Sequence, residues 1–334
     1  MPTPKLNVTF LPPSRITWDA ADPLLFKDVL LSRPGIRDAV SLHFPQPGEI
    51  DQALEVADVL VCGYLSDDEL RRAEMLKWIA FWSAGLDGKL KAGMLDRELI
   101  VTSANGVHGP NIADHVLMLM LMFARRMDYF MKAQQASTWA ANPTNPEPDE
   151  LYGKTLGIVG YGRIGEPLCQ RARACGMRVL ATKRNPRQTY GDIQPDKLFS
   201  PDELSTLLSE SDHVCLAVPY TAETHHLINA GALASMKPGS YLYNIARGRV
   251  VDEDALIAAL QSGHLGGAGL DVFATEPLPS QSPLWQMSNV LITPHVSGAT
   301  PQYFARFAPI LADNIERFLK KERLINQFDP ARGY

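Results

Sequence analysis

The stretch Thr155-Leu-Gly-Ile-Val-Gly-Tyr-Gly-Arg-Ile-Gly165 joins a short apolar strand to a Gly-x-Gly-x-x-Gly turn. Leu156, Ile158 and Val159 supply the strand, and Glu166 to Cys175 is compatible with a following helix. Each glycine has a mechanical reason to be there. Gly160 permits the tight turn, Gly162 lets backbone approach a pyrophosphate, and Gly165 allows the helix to pack closely on the strand. The phosphates would sit on that helix's N-terminus. A second strand over Arg178 to Thr182 completes the unit, which therefore reads as a dinucleotide site.

Outward from this unit, strand-like and helix-like segments alternate in both directions. On the C-terminal side they run Asp202 to Glu210 (helix), Asp212 to Ala217 (strand), Ala230 to Ala234 (helix), Ser240 to Asn244 (strand), Glu253 to Ser262 (helix), then strands Gly267 to Val272 and Val290 to Thr293. On the N-terminal side, Asn7 to Leu11, Val56 to Cys62, Trp78 to Trp82 and Leu99 to Thr102 read as strands, with helices over Leu25 to Leu31 and Asp67 to Glu74. Pro110 can open a long helix whose residues Ile112 to Phe123 are apolar around most of the circumference. Such a helix is expected to be buried between domains or between subunits. A proline-rich connector spans 140–151, and a last helix over Pro301 to Lys320 is expected to return to the N-terminal part. The expected fold is α/β with two doubly wound domains. A Rossmann nucleotide-binding domain at 107–296 would be inserted in a flavodoxin-like substrate domain built from 1–106 and 297–334.

The bulk composition fits. The chain has 334 residues, 46% hydrophobic and 21% charged, enough for two ordinary globular domains. A net charge of -5 argues against a nucleic-acid partner, because phosphate binding wants a basic excess. The start lacks the basic and apolar regions of a secretory signal, and the run Val116 to Ala124 is too short to span a bilayer. Cys62, Cys169, Cys175 and Cys215 form no Cys-x-x-Cys pair and no metal-type cluster, as expected of reduced thiols in a cytoplasmic protein.

Three later segments place polar residues just beyond apolar strands, where ligands bind in doubly wound sheets. Arg247 and Gly248 follow one strand, Asp271 ends the next with Glu276 in the loop beyond, and His295 follows the last, held by Pro294. An arginine, a carboxylate and an imidazole on one rim suit hydride chemistry on a 2-oxo acid. Arg247 can grip a carboxylate with its planar fork and polarise the neighbouring carbonyl. His295 can deliver the proton as hydride arrives, or remove it in the reverse direction. Glu276, bonded to the other ring nitrogen, would fix the tautomer and stabilise the charged ring.

These motifs together resemble the D-isomer-specific 2-hydroxyacid dehydrogenases over nearly the whole chain. The resemblance rests on the glycine turn, Asn244-Ile-Ala-Arg-Gly248, Leu270-Asp-Val-Phe-x-x-Glu-Pro277 and Thr293-Pro-His-x-Ser-Gly298. It implies Arg247, Glu276 and His295 as the catalytic set, and Asp271 as the holder of the nicotinamide carboxamide. It places Ala246 beside the nicotinamide and adds Arg163, Ile164 and Pro219 to the cofactor contacts. Ser83, Ala84 and Gly85 match the family loop whose backbone amides receive the substrate carboxylate, a role suited to small residues. A homodimer joined through the nucleotide-binding domain is also implied.

Past the second strand of a typical NAD site stands Asp or Glu, which bonds the ribose 2'-hydroxyl. Here the sequence is Val179-Leu-Ala-Thr-Lys-Arg-Asn185, without a carboxylate. Thr182, Lys183 and Arg184 would attract a 2'-phosphate, which favours NADP(H) over NAD(H). The substrate is expected to be a small-molecule 2-oxo acid, glyoxylate and hydroxypyruvate among the candidates. Two rival readings are a formate or phosphoglycerate dehydrogenase relative and an NAD(P)-sensing protein like the C-terminal-binding corepressors. Glu276, where formate dehydrogenases carry Gln, argues against formate as the substrate.

Overall fold

The computed structural model describes residues 5–12, 21–140, 147–185 and 192–330. Its contacts divide the chain into two compact units, Met1–Val107 with Thr300–Tyr334, and His108–Ala299.

The first unit is a five-stranded parallel sheet. Its strands are β1 (Leu6–Phe10), β2 (Val40–His43), β3 (Val59–Cys62), β4 (Trp78–Phe81) and β5 (Ile100–Thr102), in the order β2-β1-β3-β4-β5. That is the flavodoxin-like order, with the chain reversing direction across the sheet between β1 and β3. β3 and β4 are buried along their whole length, as parallel strands covered on both faces should be. The helix Tyr303–Leu319 supplies Phe307, Ala308, Leu311, Ala312 and Ile315 to the core beside β1 and β4.

The second unit holds seven parallel strands. They are β6 (Thr155–Val159), β7 (Arg178–Thr182), β8 (Lys197–Phe199), β9 (His213–Leu216), β10 (Tyr241–Asn244), β11 (Gly267–Leu270) and β12 (Val290–Ile292). Their order, β12-β11-β10-β9-β6-β7-β8, is the doubly wound Rossmann order with one added strand, and it reverses at β6 and β9. Because all strands are parallel, every loop that follows a strand emerges at the same edge.

The apolar helix runs Gly109–Ala124 and belongs to this second unit. Ile112, Ala113, Val116, Leu119, Met120 and Phe123 are buried, in one cluster with Leu156, Ile158 and Leu168. This buried face packs on the sheet of its own unit. Its other face leaves Met118 and Leu121 exposed. The short helices carry their own start signals. Asp252 accepts from Ala255 N at 3.2 Å to cap Glu253–Gln261, and Asn229 accepts from Ala232 N at 3.1 Å to cap Ala230–Ser235.

Several boundaries move by one to four residues: the first helix is Ala21–Leu31 and the last Tyr303–Leu319. Strands β2 and β8 and the helices Ile50–Glu55, Ala92–Asp96 and Met127–Gln135 were not anticipated from the sequence. Half of the proline-rich connector, 141–146, falls outside the described residues.

Candidate active site

At the carboxyl end of β6 the chain turns at Gly160, whose φ is +99°. A side chain there would be strained by the backbone, and its Cβ would lie 2.8 Å from Val218 Cγ1 and 2.9 Å from the Ala217 carbonyl. Thr182 braces the turn from β7: its hydroxyl accepts from Gly160 N at 3.1 Å and its carbonyl from Tyr161 N at 2.7 Å. Thr182 is buried, so its first duty is to the glycine turn. Gly162 and Arg163 follow in the turn, Ile164 is the N-cap, and the helix Gly165–Ala174 begins immediately. The start of that helix presents the positive end of its dipole. Lys183 lies over the Tyr161 ring, 5.7 Å from its centre, and burial lowers its pKa while Glu166 works the other way. Arg184 pairs with Glu223 at 2.6 Å, and the Pro219 carbonyl is held by the Thr224 hydroxyl at 2.7 Å. A glycine cradle on a helix start, flanked by two cations, fits a phosphate-bearing dinucleotide.

Arg247, Asp271, Glu276 and His295 occupy loops that follow three neighbouring strands, β10, β11 and β12, whose ends Asn244, Leu270 and Ile292 are paired in register. The loop after β10 is drawn tight by Asn244, whose side chain accepts from Ala246 N at 3.1 Å and donates to the Arg247 carbonyl at 3.0 Å. Ala246 is buried, and Arg247 Nη1 donates to its carbonyl at 2.7 Å. The two loops are in direct contact, because a Cβ on Gly248 would overlap the Phe273 backbone. Glu276 is fixed at one oxygen by Phe273 N at 3.0 Å, and its other oxygen meets His295 Nδ1 at 2.7 Å. With Nδ1–H donated to the carboxylate, Nε2 is the ring atom left for proton exchange.

His295 adopts a left-handed backbone, φ +54°, and its N–H donates to the Asp271 carbonyl at 2.8 Å. Asp271 does more. It is fully buried, and its carboxylate accepts from the Thr293 hydroxyl at 2.6 Å, Val296 N at 2.9 Å and Ser297 N at 3.0 Å. Burial pushes its pKa up, but these hydrogen bonds from Ser297, Thr293 and Val296 outweigh it and hold the carboxyl below its usual value. The residue expected to meet the nicotinamide thus also clamps both sides of the His295 turn. His115, on the helix Gly109–Ala124, extends the clamp with Nε2 3.1 Å from the Thr293 hydroxyl. Since that hydroxyl donates to Asp271, it accepts from a neutral His115, and burial lowers the His115 pKa.

The residues match the D-isomer specific 2-hydroxyacid dehydrogenase NAD binding domain over positions 117–297. The chain belongs to the D-isomer specific 2-hydroxyacid dehydrogenase family. It is 38% identical to a glyoxylate/hydroxypyruvate reductase B of Pectobacterium carotovorum over 80% of this chain and 83% of that one. A D-isomer specific 2-hydroxyacid dehydrogenase from Xanthobacter autotrophicus, solved with NADPH and MES, superposes with a TM-score of 0.76 at 30% identity, covering 99% and 100% of the two chains. A D-lactate dehydrogenase of Aquifex aeolicus, solved with NAD and lactic acid, gives 0.69 at 27%, covering 95% and 96%. As an NAD(P)-dependent dehydrogenase of this family, the chain moves hydride between a nicotinamide cofactor and a 2-oxo or 2-hydroxy acid.

In the first unit, Ser83, Ala84 and Gly85 of this dehydrogenase follow β4 at its carboxyl end. The Ser83 carbonyl is taken by Ala104 N at 2.9 Å, while its hydroxyl is buried without a hydrogen-bond partner among the described residues. An unsatisfied buried hydroxyl is costly and marks a place where a polar ligand would be welcome. Trp82 packs edge-on against Phe304, 5.7 Å between ring centres. His108 and Asn111 bond the opposite chain crossing: His108 Nδ1 lies 2.9 Å from the Gly298 carbonyl, and Asn111 Nδ2 donates to Ser297 O at 2.9 Å. Sequence reading missed the bracing roles of Asn244, Thr293 and His115. The first two sit inside quoted motifs, whereas His115 carries no local signal. No group of three or more metal-ligating side chains occurs among the described residues, and no described helix is long and apolar enough to cross a membrane.

Proposed function

We propose that this enzyme is an NADPH-preferring reductase of small 2-oxo acids, glyoxylate or hydroxypyruvate, with His295 as the proton donor. The observation that carries the reading is the His295–Glu276 bond at 2.7 Å, with Glu276 itself fixed by the Phe273 amide. The cofactor, when bound, supplies the hydride. Gly160, Gly162, Arg163, Ile164 and Gly165 would hold its pyrophosphate, Lys183 and Arg184 its 2'-phosphate, and Pro219, Ala246 and Asp271 its remaining edge. Arg247 pairs with the substrate carboxylate and polarises the 2-oxo carbonyl; by the family resemblance, the amides of Ser83, Ala84 and Gly85 are carboxylate-binding donors. His295 Nε2 gives its proton to the 2-oxo carbonyl oxygen as the hydride is added to the carbonyl carbon, and the product leaves as the 2-hydroxy acid. The names of the reductase relatives support the substrate size, and the NADPH held by the Xanthobacter enzyme supports the cofactor.

NADPH oxidation measured against a panel of 2-oxo acids tests the reading. Turnover should be highest with glyoxylate or hydroxypyruvate, and His295→Ala should lower kcat by about 10²–10⁴-fold while NADPH still binds. A chain silent across the panel would favour the sensor alternative, and retained turnover in His295→Ala would remove that residue from the mechanism.

The same reading includes a homodimer through the nucleotide-binding unit. Met118, Leu121, Met127, Met131 and Trp139 are all exposed, Trp139 at 95%, within one stretch of chain. So many large apolar side chains suit a subunit contact. Light scattering should give twice the chain mass, and a monomer at micromolar concentration would refute it. All four cysteines are free, three of them buried, in keeping with a reducing, cytoplasmic setting.

A further inference from the structure

We infer that Glu223 sets how sharply this enzyme discriminates NADPH from NADH, by engaging Arg184 at the place where a 2'-phosphate would bind. The inference rests on the proposal that Lys183 and Arg184 face the adenosine ribose. Along β7 and the residues after it, no carboxylate stands ready for a 2'-hydroxyl. The structure supplies one from elsewhere. Glu223 lies 39 positions further on, in the segment that follows β9, and its Oε2 accepts from Arg184 Nη2 at 2.6 Å.

That segment is braced along its length. The Thr224 hydroxyl donates to the Pro219 carbonyl at 2.7 Å and accepts from Thr221 N at 2.8 Å. His226 N donates to the Arg249 carbonyl at 2.9 Å, and the His225 and His226 rings stack 4.0 Å apart. The backbone carrying Glu223 is therefore held, and its charge stays near Arg184. As a stabilising device the pair is poor, because the two side chains are 48% and 76% exposed. Its effect on a ligand is larger. A 2'-phosphate must share Arg184 with a carboxylate and endure its like charge, whereas a 2'-hydroxyl can donate to that same carboxylate. An arginine already engaged by a carboxylate attracts a phosphate only moderately, so both cofactors are accommodated, with NADPH ahead.

The test is calorimetric titration of the full chain with NADPH and with NADH, wild type against Glu223→Gln and Arg184→Ala. Glu223→Gln keeps the shape and removes the charge at an exposed position, so folding is preserved, and a circular dichroism melt verifies it. The expected result is NADPH Kd lower by about two- to fivefold with NADH Kd unchanged or raised. The gain should shrink as salt is raised from about 0.05 M to about 0.5 M. An unchanged ratio of the two Kd values in Glu223→Gln, with NADPH binding selectively weakened in Arg184→Ala, overturns the role of Glu223 and leaves the NADPH proposal standing. If Arg184→Ala weakens neither cofactor selectively, both fall.

Discussion

At the scale of single residues, the site depends on a carboxylate that is fully buried and ionised. Asp271 satisfies three donors from the turn that carries His295, so its loss would move the acid as well as any cofactor contact. Asp271→Asn presents an NH₂ group to a backbone N–H, leaving at least one buried donor unpaired at a cost of about 1–3 kcal/mol. We expect a lower urea midpoint and a kcat reduced by about 10²-fold, the size of effect that misplacing a catalytic group can produce. Because the folded-state pKa of Asp271 lies below its unfolded value, its contribution is present above the unfolded pKa and lost as pH falls through the folded one. The wild type should therefore lose stability more steeply than Asp271→Asn as pH falls below about 4. Parallel acid-limb curves for the two proteins, or an unchanged kcat with only NADPH affinity reduced, would show that the carboxylate serves the cofactor alone.

At the scale of elements, what could be read in the sequence follows burial. β6, β9 and β10 are buried over nearly all their length, and a continuous apolar run between turn residues announces each of them. β2 and β8 lie at sheet edges, with partly exposed four- and three-residue runs, Val-Ser-Leu-His and Lys-Leu-Phe, that carry no such pattern. The site residues were legible for a different reason. Arg247, Glu276 and His295 sit within a few positions of strand ends, where parallel topology alone brings them to one rim. Their supports were not legible, since His115 reaches Thr293 across 178 positions and Glu223 reaches Arg184 across 39. Such pairings depend on which helix lies on which strand, and local sequence does not encode that.

At the scale of the whole molecule, the chain passes from the first unit to the second after Val107 and returns after Ala299. These two crossings are stitched together within the second unit by the His108–Gly298 and Asn111–Ser297 bonds. The ends of the inserted unit are therefore already closed on each other, the geometry that makes an insertion tolerable. The cores are separate too: two hydrophobic clusters draw only on residues of the second unit, and two draw only on the first. The segment 108–299 should accordingly fold by itself and keep the glycine turn, Lys183, Arg184 and the His295–Glu276 pair. Expressed alone, it should melt in one cooperative transition. NADPH at about 100 times its Kd should stabilise it by about 2.7 kcal/mol, because the cofactor binds the folded form alone. It should reduce no 2-oxo acid, lacking Ser83, Ala84 and Gly85. An unfolded fragment, or a folded one whose transition NADPH leaves unmoved, would mean that the nucleotide site requires the first unit.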